Sequence, residues 1–192
     1  MGHKKKLPPQ TVVASTLYWV KSTVIHYNLC PFANKVFAGD RLQVDVSGAE
    51  TKEQLLKDCL LAIRQLLATS RDEVETVLLV HPQCLNDFSD YNDFLSMIDV
   101  LLEEMELLGV VQVASFHPDY CFADCDVNDA ANFTNRSPYP MLHLLREESI
   151  SEAVEEWAAC DLDVNEIPER NIETLRKLGN DILADQLTAC YK

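Results

Sequence analysis

Between Asp72 and Asn135 the chain has no lysine or arginine, although fourteen acidic residues fall there. Over its whole length it has sixteen basic and thirty-one acidic residues, a formal charge of −15. Such a surface opposes nucleic acid, whose binding rests on neutralising phosphates with lysine and arginine. No apolar run approaches the length of a membrane span. There is no glycine-rich phosphate loop and no G-x-S-x-G, which argues against nucleotide hydrolysis and serine-esterase chemistry. No repeat, low-complexity tract or linker divides the sequence.

What is present reads as one domain. A chain of 192 residues, 47% apolar and 24% charged, buries roughly 70% of the surface its unfolded form exposes, so it needs no covalent staples. Its cysteines, at 30, 59, 84, 121, 125, 160 and 190, are odd in number. Reduced thiols in a cytoplasmic protein are therefore expected. The basic start followed by apolar residues imitates a signal peptide, but Ser15 and Thr16 interrupt the apolar run and the pattern continues past Lys21 as a helix, so secretion is not expected. Residues 1–10 are expected to form a flexible tail, and 11–190 a single α/β domain.

Periodicity sets the expected elements. Val13, Leu17, Val20 and Val24 mark a helix from about Thr11 to Asn28, stopped by Pro31. Leu42, Val44 and Val46 alternate as a half-buried strand. Thr51 and Gln54 form a capping box before a helix that buries Leu55, Cys59, Ile63 and Leu67. Thr76 to Val80 is a continuous apolar run ending in His81-Pro82, the pattern of a strand covered on both faces. A helix over about Ser89 to Leu108 and a strand from Val110 to Phe116 follow, the latter again ending in His-Pro, at His117-Pro118. These alternations predict a mixed but mostly parallel sheet of about four strands with flanking helices. The fourth strand falls at Met141 to Leu145. Ser149 and Glu152 mark a capped helix to about Ala159, and residues 166–187 read as one further helix with Ile172, Leu175, Leu178, Ile182 and Leu187 inward.

In open α/β sheets, ligands bind beyond the carboxyl ends of the strands, and both His-Pro pairs fall there. His81 reads as a strand terminator with a local hydrogen bond. His117 has more company, because the weakly periodic stretch from Asp119 to Pro140 and the strand after it carry Tyr120, Asp129, Asn132, Asn135, Arg136, His143 and Arg146. Histidine titrates near neutral pH and suits proton transfer or metal ligation. The two arginines, isolated from other positive charge, either hold an anionic group or pair with local carboxylates. Cys30, just past a helix end, gains nothing from that helix dipole and acts as a nucleophile only if the fold brings His or Arg to it. Cys121 and Cys125 lack zinc-knuckle spacing, and the Asp124, Asp126, Asn128 run departs from an EF-hand at the Gly and Glu positions.

Three stretches together carry a resemblance: Asn-Leu-Cys-Pro-Phe-Ala at 28–33, Ala-Ser-Phe-His-Pro-x-Tyr-x-Phe at 114–122, and Asn-Arg-Ser-Pro-Tyr-Pro-x-x-His-Leu-Leu-Arg-Glu at 135–147. With them the chain resembles the DUF1415 family of bacteria and plants over nearly its whole length past the first dozen residues. The resemblance implies that Cys30, Pro31, His117, Tyr120, Asn132, Asn135, Arg136, His143 and Arg146 belong to the family pattern. It implies no reaction and no cofactor, and it leaves out His81, Cys121 and Cys125.

The leading expectation is an enzyme acting on a small anionic metabolite. Its catalytic set is Cys30, His117 and His143, and its ligand-binding set is Asn132, Asn135, Arg136, Arg146 and Tyr120. A second expectation is a zinc-type site of Cys30, His117 and His143, completed by water or a carboxylate such as Asp129. A third is a non-catalytic domain that binds a ligand or partner, in which the polar residues of 119–140 only lock the loop.

Overall fold

The structure, a computed structural model, describes residues 7–159 and 163–192. The tail expected over 1–10 therefore lies largely outside the described residues. Pro9 and Gln10 already belong to α1 (Pro9–Trp19), with Pro9 in its first turn, where a missing N–H costs nothing. The helix runs on through a π-helical turn, Val20–Ile25, which rotates the later residues relative to a regular α-helical face. Val12, Ser15, Thr16, Trp19, Val20 and Thr23 are buried, whereas Val13 and Leu17 are half-buried.

The sheet has four strands in the order β1-β2-β4-β3: β1 (Leu42–Val46), β2 (Thr76–Val80), β3 (Val111–Phe116) and β4 (Met141–Arg146). Only β1 and β2 pair in parallel; β4 runs antiparallel between β2 and β3. The expected mostly parallel sheet is thus corrected to a mixed one. The cause is the link from β3 to β4. Its regular structure is a single 3-10 turn, Ala130–Thr134, so nothing carries the chain to the opposite edge, as a parallel return requires. β4 starts at the edge where β3 stops.

Between β1 and β2 comes α3 (Lys52–Ala68), and between β2 and β3 comes α4 (Phe88–Glu104). Both cover one sheet face. Leu55, Cys59, Ile63 and Leu66 of α3 and Tyr91, Phe94, Ile98 and Leu102 of α4 pack on Val77, Leu79, Leu142 and Leu144. The α3 cap forms as its sequence dictates, the Thr51 hydroxyl accepting from the Gln54 N–H; the Gln54 carboxamide accepts from the N–H of Glu50. Leu66 is the buried residue of the last turn, and Leu67 is exposed.

The opposite face meets α1 and the chain's end, where Val12, Trp19, Val20 and Cys190 cluster with Leu78, Val80 and Met141. The expected single C-terminal helix is two, α6 (Glu166–Leu178) and α7 (Asn180–Ala189). Gly179 separates them at φ 81°, a left-handed conformation that glycine adopts without a Cβ clash. The break changes the helical phase, so Leu183 faces the core and Ile182 is 51% exposed. α5 (Glu147–Ala158) starts two residues before the expected capping box. The N–H of Glu147 donates to Val110 O, and the Ser149 hydroxyl, now inside the helix, is buried without a partner.

Candidate functional site

The two His-Pro histidines end β2 and β3 at one sheet edge and are fully buried. His81 Nδ1 lies 2.9 Å from the Cys84 carbonyl, so Nδ1 carries the proton; its Nε2 is buried with no partner. His117 Nδ1 accepts from the Asp119 N–H at 3.0 Å. Its Nε2 must then be the protonated nitrogen, donating to the Leu85 carbonyl at 3.1 Å. Burial lowers the pKa of both rings, that of His81 to about 4. Each ring is a neutral clasp on the loop that follows its strand, and His117 has both nitrogens engaged.

The 119–140 segment is held in the same way. Asn132 accepts from the Phe122 N–H and donates to Asp126 O, and Asn135 donates to Ser115 O. Arg136 donates to the carbonyls of Tyr120 and Val127, with its guanidinium 4.8 Å from the Phe133 ring centroid. Tyr120 packs against Phe88 and Phe122. Asp129 caps the 3-10 turn and pairs with Arg176, which holds its carboxyl down at about 2.

Away from that edge, a cavity of about 730 Å³ opens over the sheet face that α1 covers. Its floor is Leu42, Thr76, Leu78, Gln112, Ala114, Phe116, His143 and Leu145. Strand alternation and the register, which aligns Leu78, His143 and Ala114, put these side chains on one face. Thr76, Gln112 and Leu42 begin or nearly begin their strands, so the cavity reaches the amino ends of β1 to β3; Phe116 at the end of β3 borders it, but His81 and His117 do not. Trp19, Val20 and Val24 form one wall, Cys30 to Ala33 another, and Ile150, Ala153 and Trp157 of α5 the roof. Charged residues ring it in pairs: Arg41 with Glu75, Arg71 with Glu75 and Glu152, and Lys35 with Glu156.

Two of the expected catalytic residues, Cys30 and His143, line this cavity, and the third, His117, does not. Burial raises the Cys30 thiol above its ordinary pKa, against the opposing pull of the Phe32 and Ala33 backbone and of Arg170. Because α2 (Ala33–Ala38) begins just after it, Cys30 precedes a helix start as well as following a helix end. His143 stands in the middle of β4, and burial alone pushes its pKa down to about 4.

A family model described as protein of unknown function, DUF1415, matches residues 11–185. The chain belongs to this family. No curated protein and no solved structure matches it.

In this DUF1415 chain the residues expected to form one site divide into two groups. Cys30, His143 and Arg146 line the cavity; His117, Tyr120, Asn132, Asn135 and Arg136 do not. Arg146 alternates with His143 and Leu145 and turns to the α3 side, where its Nη2 donates to the carbonyls of Leu66, Thr69 and Val74. It thereby ties the carbonyls of Leu66 and Thr69 at the end of α3 to that of Val74 just before β2, supplementing the bonds a helix end lacks. Among the described residues no group of three or more His, Cys, Asp or Glu side chains is placed to hold a metal ion. Sequence reasoning missed Thr76, Trp19 and Trp157 as cavity residues. The only signal for Thr76 was its place as the one hydroxyl in an otherwise apolar strand.

Proposed function

We propose that this chain binds a small, largely apolar molecule in the cavity between the sheet and α5, and that Cys30 and His143 are the polar groups that meet it. The cavity carries this reading. Its 730 Å³ falls within the roughly 300–1,000 Å³ of small-molecule sites, which pair apolar walls with a few polar groups.

An enzyme using Cys30 as nucleophile and His143 as base remains the catalytic form of the same proposal, favoured by the shared cavity. Its anionic substrate has less support. Arg136 and Arg146 donate to backbone carbonyls, and the rim cations each face a glutamate. A cytoplasmic location belongs to the proposal too; the six described cysteines are free thiols.

Native mass spectrometry of the purified chain, with thermal shift against a library of apolar small molecules, tests the reading. Ala114→Phe fills the floor of the cavity and is expected to abolish every shift while leaving the fold intact. Ligands that still bind to a folded Ala114→Phe protein would place the site elsewhere.

A further inference from the structure

The hydrogen bonds of one threonine specify what the cavity's histidine can do. Thr76 Oγ1 lies 2.6 Å from the Leu144 carbonyl and 2.8 Å from His143 Nε2. Two oxygens 2.6 Å apart need a proton between them. A carbonyl has none, so the single hydroxyl proton of Thr76 points at Leu144 O. At His143, Thr76 can only accept, and Nε2 must carry the imidazole proton. Nδ1 is then a bare lone pair. Among the described residues it has no hydrogen-bond partner, and unlike His81 Nε2 it is not sealed in the interior. No charged side chain acts on the ring, and its nearest aromatic neighbour is Phe116, 6.1 Å away between centroids.

We infer that the ligand of this cavity is a neutral, largely apolar molecule that donates a hydrogen bond, from a hydroxyl or an amide N–H, to Nδ1 of His143. This rests on the cavity being the binding site. A carboxylate has no proton to offer at neutral pH and would face the lone pair with its own. An ether or ketone offers only acceptors to a ring nitrogen that is itself an acceptor. An ammonium group would give up its hydration with no carboxylate beside the ring to replace it. Trp19, Leu78 and Phe116 supply apolar contact for the rest of the molecule.

The test uses three probes of one shape, 2-naphthol, 2-methoxynaphthalene and 2-naphthoate, titrated against the full chain by calorimetry. The naphthol is expected to bind about fivefold or more tighter than the ether, the effect of one hydrogen bond to a buried acceptor, and the naphthoate weakest. His143→Phe should remove the preference for naphthol over ether and retain binding of the ether. Thr76→Val, which frees Nε2 and lets the proton sit on Nδ1, should narrow the preference even if His143→Phe fails to fold. Nitrogen-15 spectra of the wild-type imidazole are expected to show an unprotonated Nδ1 and a protonated Nε2.

Equal affinity for naphthol and ether, tighter naphthoate, or a protonated Nδ1 overturns the inference while the cavity remains a site. Failure of all three probes to bind overturns the cavity reading with it.

Discussion

The Nε2–H of His117 donates to the carbonyl of Leu85, 3.1 Å away, and Leu85 has a left-handed backbone at φ 57°. A branched residue in that region costs about 1 kcal/mol or more and persists only where its surroundings fix it. His117 is one such fixture, and the burial of the Leu85 side chain in the α3/α4 core is another. His117→Ala is expected to lower stability by about 2–3 kcal/mol, since the Leu85 carbonyl loses its donor and the ring leaves a gap. Urea unfolding measures this. Affinity for a cavity ligand should be unchanged; a variant of normal stability that no longer binds would return His117 to the functional site.

Acid is expected to weaken the fold well before most carboxylates protonate. His81 and His143 titrate at about 4 in the folded chain, against about 6.5 when unfolded. Between these values the unfolded chain binds protons that the native one refuses, so stability falls as pH falls from 6.5 to 4, by on the order of 3 kcal/mol per ring. Below 4 the depressed carboxyl of Asp129 adds to the loss. Unfolding midpoints across pH 4 to 7 should follow this slope, and His81→Gln should flatten it. A slope identical to wild type would mean that His81 is not the neutral, desolvated ring described.

Much of this was legible from local pattern. The four strands, the long helices α1, α3 and α4, the cap at Thr51 and the Cys59 core position follow from period and hydrogen-bonding chemistry close in sequence, whereas α2 and the break between α6 and α7 do not. The antiparallel β4 was not, because strand direction depends on which edge the chain re-enters. Nor was the site: Cys30 and His143 are far apart in sequence, and the Thr76 hydroxyl acquires meaning only when the register sets it beside His143. The motif residues Asn132, Asn135 and Arg136, expected as ligand-binding groups, engage their side chains with backbone N–H and carbonyl groups of the loop and of Ser115.

Arg146 gives a further prediction. Its guanidinium caps the α3 terminus through Nη2 while Nε remains buried and unpartnered. Arg146→Met keeps much of the stem and removes all three donations, and a loss of about 2–3 kcal/mol is expected. Arg146→Lys should recover only part, since an ammonium on a flexible stem does not reproduce the planar donor geometry. Full recovery by lysine would show that charge alone matters there.

The roof of the cavity should be the first helix to open. No residue of α5 is buried. Its ties include the ion pairs to Arg71 and Lys35, the edge contact of Trp157 with Phe32, the Arg170 guanidinium over Trp157 and one backbone bond from Glu147 to Val110, and exposed ion pairs contribute little. Amide exchange in α5 is expected to be faster than in α3 or α4, whose faces are fully packed, and faster again in Arg71→Ala. Protection of α5 equal to that of α4 would show that the roof is not the loosely held helix described.

Cys30 decides whether the cavity holds a poised nucleophile. Thiolate, not thiol, reacts with iodoacetamide, and burial raises the Cys30 pKa. Its alkylation is therefore expected to be slow at pH 7 and to accelerate only above pH 9. Cys59, pushed up to about 12 in the core, should not react in the folded chain, whereas the half-buried Cys121 and Cys125 give an internal standard outside the cavity. An occupant such as 2-naphthol should slow modification of Cys30 and leave that of Cys121 unchanged, as peptide mass mapping would register. Rapid alkylation of Cys30 at pH 6 would instead show a stabilised thiolate. It would favour the catalytic form of the proposal, with Cys30 attacking a bound ligand, over simple binding.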